Sequence, residues 1–473
     1  MIVLATPWYV SQLGLGGYGI VGLWLMMQVM IGLLDMGIGA TLIKGLADAR
    51  PGNGSLEAKR DLLRTLEVIY WGIAATMTLA LVLASGWIAG QWLRADETAT
   101  DTLDTVLRLM AVTLGLQFPG ALYSNGLTGL QAHARMNAMQ IVGNTLRYGA
   151  GAGVLLWSPD LVWFFVVQIV VAAMQTLVTR TLVWKLISQP DSRAASFRLD
   201  LVRNTLRFST GMALTAVWAV LLANADRIVL SKMVSTEELG KYAVAFAGSA
   251  LLQLGIQPFY RTYFPRYAEL VSLADTARLR REYFQSCEVM ALVLVPLGAL
   301  GLVFAPELLQ AWLGRRDDDI TTTFRLLLLG ITCSGLMWLP AAFQQAHGWT
   351  RLHTQMMAGA LLVGAPIIVL AVREFGIAGA TAVWLLHGLL GITLELWLMH
   401  RRLLIGELLV WYRSVLVAPV LTGLPLIGLS SWLMPPGQDR WTNLVWITVT
   451  GLVAVALPLW CRRKWARDSV HSN

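Results

Sequence analysis

The chain has 473 residues, of which 56% are hydrophobic and only 14% are charged, and it carries a formal net charge of +8. A mean hydropathy of +0.61 excludes an ordinary soluble domain and predicts an integral membrane protein. The positive charge lies mostly in short segments between apolar runs, so it indicates membrane topology rather than binding to nucleic acid.

Apolar runs long enough to cross a bilayer recur along the whole chain. About 30 Å of hydrocarbon requires roughly 20 helical residues, and about thirteen runs meet that length. Each is predicted to be helical because a helix pairs its own peptide groups inside lipid. Residues 1–10 give a further span of only about 15 Å, which we attribute to a start placed downstream of the true one. The complete runs lie near 18–43, 66–92, 103–128, 137–157, 161–184, 207–231, 241–264, 284–306, 321–345, 354–372, 377–399, 412–434 and 441–461.

The loops between these spans alternate between many and few lysine and arginine residues. One set of loops, which includes Lys59, Arg60 and the pair Arg401 and Arg402, exceeds the other by about three to one. Basic loops stay on the cytoplasmic side, so both termini are predicted to be cytoplasmic.

Two short sequences occur twice and indicate an internal duplication. LGGY at 15–18 is echoed by LGKY at 239–242, and QAH at 131–133 recurs at 345–347. Six spans separate the members of each pair, so the halves enter the membrane in the same orientation, as in several transporter folds with a site between their halves. The predicted parts are an N-terminal helix bundle (1–190), a C-terminal helix bundle (191–405), and two additional helices with a basic cytoplasmic tail (406–473).

Charged residues interrupt the apolar run at 207–231, where Asp226 and Arg227 follow Asn224. A charge at the centre of a membrane helix costs about 2.5–3.5 kcal/mol, which favours a partner or a polar cavity. The predicted orientation places the pair near the outer end of its helix. We therefore predict a polar contact in an outer vestibule or a local pairing.

The sequence resembles the polysaccharide-export flippases of the multidrug/oligosaccharidyl-lipid/polysaccharide (MOP) superfamily, of the O-antigen flippase type. The residues that carry the resemblance are Pro7, Leu13-Gly14, Gly17-Tyr18-Gly19, Leu33 to Gly39, Asn224 to Arg227 and Leu239 to Tyr242.

The resemblance implies an all-α membrane protein with about fourteen transmembrane helices, the first of them truncated here. Two pseudo-symmetric six-helix bundles would be followed by two C-terminal helices. The implied function is movement of an undecaprenyl-diphosphate-linked oligosaccharide, an O-antigen or exopolysaccharide repeat unit, across the bacterial inner membrane. This task requires binding rather than bond breaking, so no enzyme activity is expected. The implied partners are the lipid-linked oligosaccharide, membrane lipids and polysaccharide polymerase or export machinery.

An acid and a base lie at matching depths of the two predicted halves. Asp35 plus the repeat offset of about 224 falls within two residues of Arg261. We hypothesise that Asp35 and Arg261 pair across a central cavity when the cytoplasmic side closes, and that opening frees Arg261 for the lipid diphosphate. The alternative is that each side chain snorkels to the membrane interface or pairs within its own half. Arg147 lies in the fifth span, where we predict that it adds a positive patch for an anionic substrate. Arg180 lies in the sixth span.

Other functions remain open at this point. No nucleotide-binding or hydrolase motif stands out, so no cofactor is expected, and the driving force would be the membrane potential or coupled H+ or Na+. Asp35 and Asp226 are then the carboxylates to test. The alternatives are a multidrug or cation antiporter with a more acidic cavity, a membrane-embedded polysaccharide polymerase or ligase with a larger outer loop, and a silent scaffold of an export complex.

Overall fold

The computed structural model describes residues 2–35, 37–48, 55–94, 100–188, 193–349, 351–435 and 439–471, with the side chains of 202–216, 219 and 463–471 not included. Over these ranges the regular elements are helices. One isolated β-bridge pairs Arg94 with Ser235. The predicted all-α membrane fold is confirmed.

The chain forms two compact units, Met1–Gly240 and Lys241–Asn473, which we call the N-terminal and C-terminal units. The predicted boundaries at 190 and 405 stay predictions. The helices that begin in the N-terminal unit are α1 (Ile2–Ile31), α2 (Ile38–Ala47), α3 (Leu56–Trp87), α4 (Thr100–Gly129), α5 (His133–Trp157), α6 (Leu161–Ile187), α7 (Leu199–Met233) and α8 (Thr236–Ser272), the last of which continues into the C-terminal unit.

The remaining helices belong to the C-terminal unit. They are α9 (Thr276–Val303), α10 (Ala305–Leu313), α11 (Asp318–Leu336), α12 (Trp338–Ala346), α13 (Arg351–Leu390), α14 (Leu396–Leu403), α15 (Leu408–Trp411), α16 (Ala418–Leu433) and α17 (Arg440–His471). Short π-helical segments lengthen several of them, such as Gly391–Glu395 between α13 and α14.

Ten helical stretches of the described chain are long and apolar enough to cross a membrane. Two of them each contain two predicted spans, because α1 bends at Gly14 and α13 bends at Gly376. The predicted spans near 137–157 and 207–231 are helical as α5 and α7 but are not among the ten. The count of fourteen spans therefore stays a prediction, while a multi-pass membrane protein is established.

Helix packing follows the same order within each unit. In the N-terminal unit α4 packs against α3 and α6, and in the C-terminal unit α11 packs against α9 and α13. Stacking of Tyr70 on Phe118, with ring centroids 4.9 Å apart, joins α3 to α4 in the N-terminal core. The C-terminal helices α16 and α17 pack on α9, where Leu300 meets Ile427 and Ile447.

The break after α1 positions an acidic residue inside the membrane helix. The chain tightens into a 3-10 turn at Gly32–Asp35, and Gly37 adopts a left-handed backbone with φ 76° before α2 begins. A side chain at Gly37 would strain this conformation. The interruption leaves the half-buried Asp35 just before α2 instead of within a continuous helix.

The segment that follows α6 is fastened to α3. Arg193 Nη2 lies 2.7 Å from Asp61 Oδ2, and the amide of Ser196 donates to Asp61 Oδ1 over 2.7 Å. The amide of Arg198 donates to Thr65 Oγ1 over 3.0 Å. Asp61 therefore binds both the Arg193 guanidinium and the Ser196 backbone amide of the connection from α6 to α7.

Candidate functional site

A cavity of about 310 Å³ lies inside the N-terminal unit. The end of α1, the Gly32–Asp35 turn, α4, α5 and α6 form its wall. Most of the side chains with polar groups on the wall are amides and hydroxyls, and Asp35 and Arg147 carry charge. The polar lining consists of Gln28, Asp35, Gln117, Ser124, Gln140, Asn144, Arg147, Gln175, Thr176 and Thr179. The structure thus brings two of the predicted site residues, Asp35 and Arg147, to one cavity.

Asp35 is bonded locally on its cavity wall. Its Oδ1 accepts the amide of Gly39 over 3.0 Å and also the hydroxyl of Tyr70. The first bond satisfies an amide of the opening turn of α2, as a helix cap does. Asp35 therefore has a structural task besides any role in transport.

Arg147 is held by a neighbouring amide. Its Nη2 donates to Gln175 Oε1 over 3.1 Å, and the Gln168 side chain donates to the Arg147 carbonyl over 3.1 Å. A side chain at Gly143 would overlap Gln175, so this glycine makes room for the residue that orients the guanidinium. The charge of Arg147 is thereby directed to a defined part of the cavity wall.

Three donors on this wall are buried without a hydrogen-bond partner among the described residues. They are Nε2 of Gln28, Nε2 of Gln117 and Nε of Arg147. Buried donors normally bind an acceptor, because an unmade bond costs about 1–3 kcal/mol. A cavity that presents several such donors suits a ligand rich in oxygen acceptors, such as a phosphate or a sugar.

The face of α5 toward the cavity could have been recognised from its spacing. Gln140, Asn144 and Arg147 are separated by four and then three residues, which places them on one side of a helix. Only Arg147 of the three is among the residues predicted from the sequence, because a charge inside an apolar span is a stronger signal than an amide.

The second predicted group, on α7, lies outside the residues that line this cavity. Asn224 and Asp226 are buried, and Arg227 Nη1 lies 3.4 Å from Asn224 Oδ1. Asn224 Nδ2 also donates to the carbonyl of Val220 over 2.8 Å. Asn224 and Arg227 are thus in local contact, while the vestibule role of the three residues stays a prediction.

Arg261 belongs to the C-terminal unit and is exposed. Its Nη2 lies 3.3 Å from Gln257 Oε1, one turn earlier on α8. The hypothesis of a gate between Asp35 and Arg261 concerns residues of different units, and it stays a hypothesis.

An apolar cavity of about 320 Å³ occupies another part of the N-terminal unit. Methionine and tryptophan side chains form much of its wall, and methionine adapts to varied apolar ligands. The large side chains on this wall include Met26, Met27, Met30, Met110, Trp87 and Trp92. Helix α1 contributes to both cavities.

Comparison with known structures identifies the fold. The lipid II flippase MurJ in an inward closed conformation matches with a TM-score of 0.74 at 11% identity, over 99% of this chain and 97% of that one. An inward-facing multidrug resistance MATE family transporter of the MOP superfamily matches with a TM-score of 0.67 at 15% identity, over 85% and 93%. This chain therefore shares the fold of these two solved structures.

Sequence comparison identifies the family. The family described as polysaccharide biosynthesis protein matches residues 3–271, and this chain belongs to it. The putative O-antigen transporter of Shigella flexneri is 20% identical over 398 residues, which cover 82% of this chain and 91% of that protein. The teichuronic acid biosynthesis protein TuaB of Bacillus subtilis (strain 168) is 24% identical over 275 residues, 57% of this chain and 52% of that protein. The predicted family is confirmed.

Proposed function

We propose that this protein moves an undecaprenyl-diphosphate-linked oligosaccharide, an O-antigen or exopolysaccharide repeat unit, across the bacterial inner membrane by alternating access. The observation that carries the proposal is the polar cavity of the N-terminal unit, with buried donors at Gln28, Gln117 and Arg147. The family membership and the relative named as an O-antigen transporter support it.

Each part of the proposed substrate has a matching surface in the N-terminal unit. Arg147 provides a guanidinium, whose planar fork binds two phosphate oxygens at once. Amides such as Gln140 and Asn144 both donate and accept hydrogen bonds, as sugar hydroxyls require. The apolar cavity beside α1 would receive part of the polyprenyl chain. These residues bind and orient the substrate, and no covalent step is assigned to them.

We propose further that Asp35 and Arg261 act as a gate during the transport cycle. The carboxylate and the guanidinium would pair in the state closed to the cytoplasm and separate in the open state. Coupling to the membrane potential or to H+ or Na+ would drive the cycle, with Asp35 and Asp226 as candidate carboxylates. Full transport by an Arg261→Ala variant would contradict the gate.

The decisive experiment is complementation of a bacterial strain that lacks its own O-antigen flippase. Wild-type protein should restore surface polysaccharide, and Arg147→Gln should reduce it by about tenfold or more, since a hydrogen bond to a charged group contributes about 1.5–3 kcal/mol. Arg108→Gln is the control, because Arg108 is 55% exposed and pairs with Asp104 on its own helix at 2.6 Å. Equal polysaccharide from the Arg147 variant at equal expression would contradict the proposed binding role.

A multidrug antiporter is the second candidate, because the MATE transporter shares the fold. It would raise resistance to cationic drugs without restoring polysaccharide, and the guanidinium of Arg147 on the cavity wall argues against a cation site. A polymerase or ligase would change the chain length or attachment of polysaccharide that is already exported. A scaffold would tolerate Arg147→Gln while requiring the presence of the protein.

A further inference from the structure

A buried carboxylate on α3 forms an ion cluster that the sequence analysis did not anticipate. Glu67 has a side chain only 3% exposed, and its Oε1 lies 2.5 Å from Nε of Arg180 on α6. Its Oε2 lies 2.9 Å from Nη1 of Arg64, one turn earlier on α3. The hydroxyl of Tyr123 on α4 donates to Oε1 over 2.6 Å. The cluster therefore links three helices of the N-terminal unit.

The cluster has an excess of positive charge on its outer side. Two guanidiniums meet one carboxylate, so the three side chains sum to one positive charge. Glu67 lies beneath the surface, whereas the side chains of Arg64 and Arg180 are 46% and 37% exposed. Each guanidinium has five N–H donors, and the bonds to Glu67 use one nitrogen of each. Both arginines can therefore reach an anion at the surface.

The surface above the cluster is a concave pocket of about 450 Å³. Its wall consists of Arg64, Glu67, Val68, Trp71, Leu177 and Arg180. Val68 and Leu177 are 45% and 55% exposed, although both lie on helices that are apolar enough to cross a membrane. The pocket shares no lining residue with the polar cavity that contains Asp35 and Arg147. It thus combines a cationic floor with apolar walls.

We propose that this pocket binds the phosphate of an anionic phospholipid from the surrounding bilayer. Arg64 and Arg180 would hold the phosphate oxygens, for which the guanidinium fork is well suited. The acyl chains would lie along Val68 and Leu177, and Trp71 is of the residue type that occupies the headgroup level of membranes. The exposed apolar walls favour a lipid over free phosphate, because an inorganic ion would leave them uncovered.

The test measures lipid binding by the purified full-length protein after removal of native lipid. Phosphatidylglycerol and phosphatidylcholine are titrated separately, and bound lipid is counted by native mass spectrometry, with inorganic phosphate as a third arm. Wild-type protein should bind phosphatidylglycerol more tightly than phosphatidylcholine. Arg64→Gln should weaken the phosphatidylglycerol affinity by about tenfold, whereas Arg108→Gln should not, although it removes an arginine of similar exposure.

A second variant separates lipid binding from a purely structural role. Glu67→Gln keeps both arginines and removes the carboxylate that competes for them, so phosphatidylglycerol should bind more tightly than to wild type. A structural cluster would instead lose stability and gain no lipid affinity. Unchanged affinity in Arg64→Gln, weaker affinity in Glu67→Gln, equal binding of both lipids, or displacement of phosphatidylglycerol by millimolar phosphate would each overturn the proposal.

Discussion

Asp35 has two roles at the scale of the residue, a local one and a proposed one, and they can be separated. As an acceptor for the Gly39 amide it stabilises the start of α2, and as a charge it is proposed to form part of a gate. The neutral asparagine keeps an oxygen in the same position and removes the charge. Alanine removes both.

We expect Asp35→Asn to remain about as stable as wild type, and Asp35→Ala to lose about 1 kcal/mol, the usual cost of a lost cap. Both variants should lose polysaccharide export if the charge is required. Stability is measured by thermal unfolding in detergent, and export by complementation. If Asp35→Asn exported normally, the proposed gate and any ion coupling through Asp35 would be wrong.

Gly240 illustrates a different constraint on a single residue. A Cβ at Gly240 would overlap the carbonyl oxygen of Leu15, whereas a Cβ at Gly255, also on α8, would meet no atom within 4 Å. The repeated glycine of the LGGY and LGKY sequences therefore serves close packing in this half of the repeat. The Leu15 carbonyl belongs to the backbone, so it cannot move out of the overlap as the end of a flexible side chain could.

Gly240→Ala should accordingly reduce stability by about 1–3 kcal/mol, the cost of overpacking. Gly255→Ala should be neutral or slightly stabilising, because alanine favours a helix over glycine by about 1 kcal/mol. Thermal unfolding of the two variants at equal detergent and lipid content gives the comparison. A smaller loss for Gly240→Ala than for Gly255→Ala would refute the packing argument.

At the scale of the element, one carboxylate makes two of the contacts that hold the connection from α6 to α7. Asp61→Ala removes the acceptor for both the Arg193 side chain and the Ser196 amide. Hydrogen exchange of residues 196–198 should then accelerate. Asp160→Ala is the control, since Asp160 accepts the Val162 amide at the start of α6 and should affect exchange only there. Equal protection of residues 196–198 in Asp61→Ala and wild type would show that the link is not stabilising.

Helix content and family were readable from the sequence, because long apolar runs permit only helices in lipid and because the glycine and acid motifs are local. Breaks within helices were harder to place. Gly14 and Gly376 bend α1 and α13 within single helical stretches. Hydropathy alone does not show whether a glycine bends its helix or allows a neighbouring helix to pack closely.

The polar contacts were the least predictable part of the site. The sequence places Arg180 inside a predicted span but does not indicate Glu67 as its partner, because Glu67 lies close to the predicted start of its span and resembles an interfacial residue. Its two arginine partners are 3 and 113 residues away, and only the tertiary packing of α3 with α6 brings the distant one into contact. Pairing over such separations leaves no local pattern to read.

At the scale of the whole molecule, the distribution of basic loops leads us to propose that both termini are cytoplasmic. A reporter active only in the cytoplasm should function when fused after Asn473 and fail when inserted at Gly314, between α10 and α11. A reporter active only outside should give the reverse result. Identical signals at the two positions would contradict the orientation.

The Glu67 cluster also constrains how the protein is made. Glu67 leaves the ribosome 113 residues before Arg180, a delay on the order of ten seconds at ordinary rates of synthesis. An uncompensated charge is costly to insert into lipid, so α3 would be a poor substrate for the insertion machinery if Arg180 were its sole partner. Arg64 precedes Glu67 by three residues and can neutralise it at once. We therefore expect Arg64 to act as the first counterion of Glu67 during biogenesis and to keep this contact after Arg180 arrives with α6.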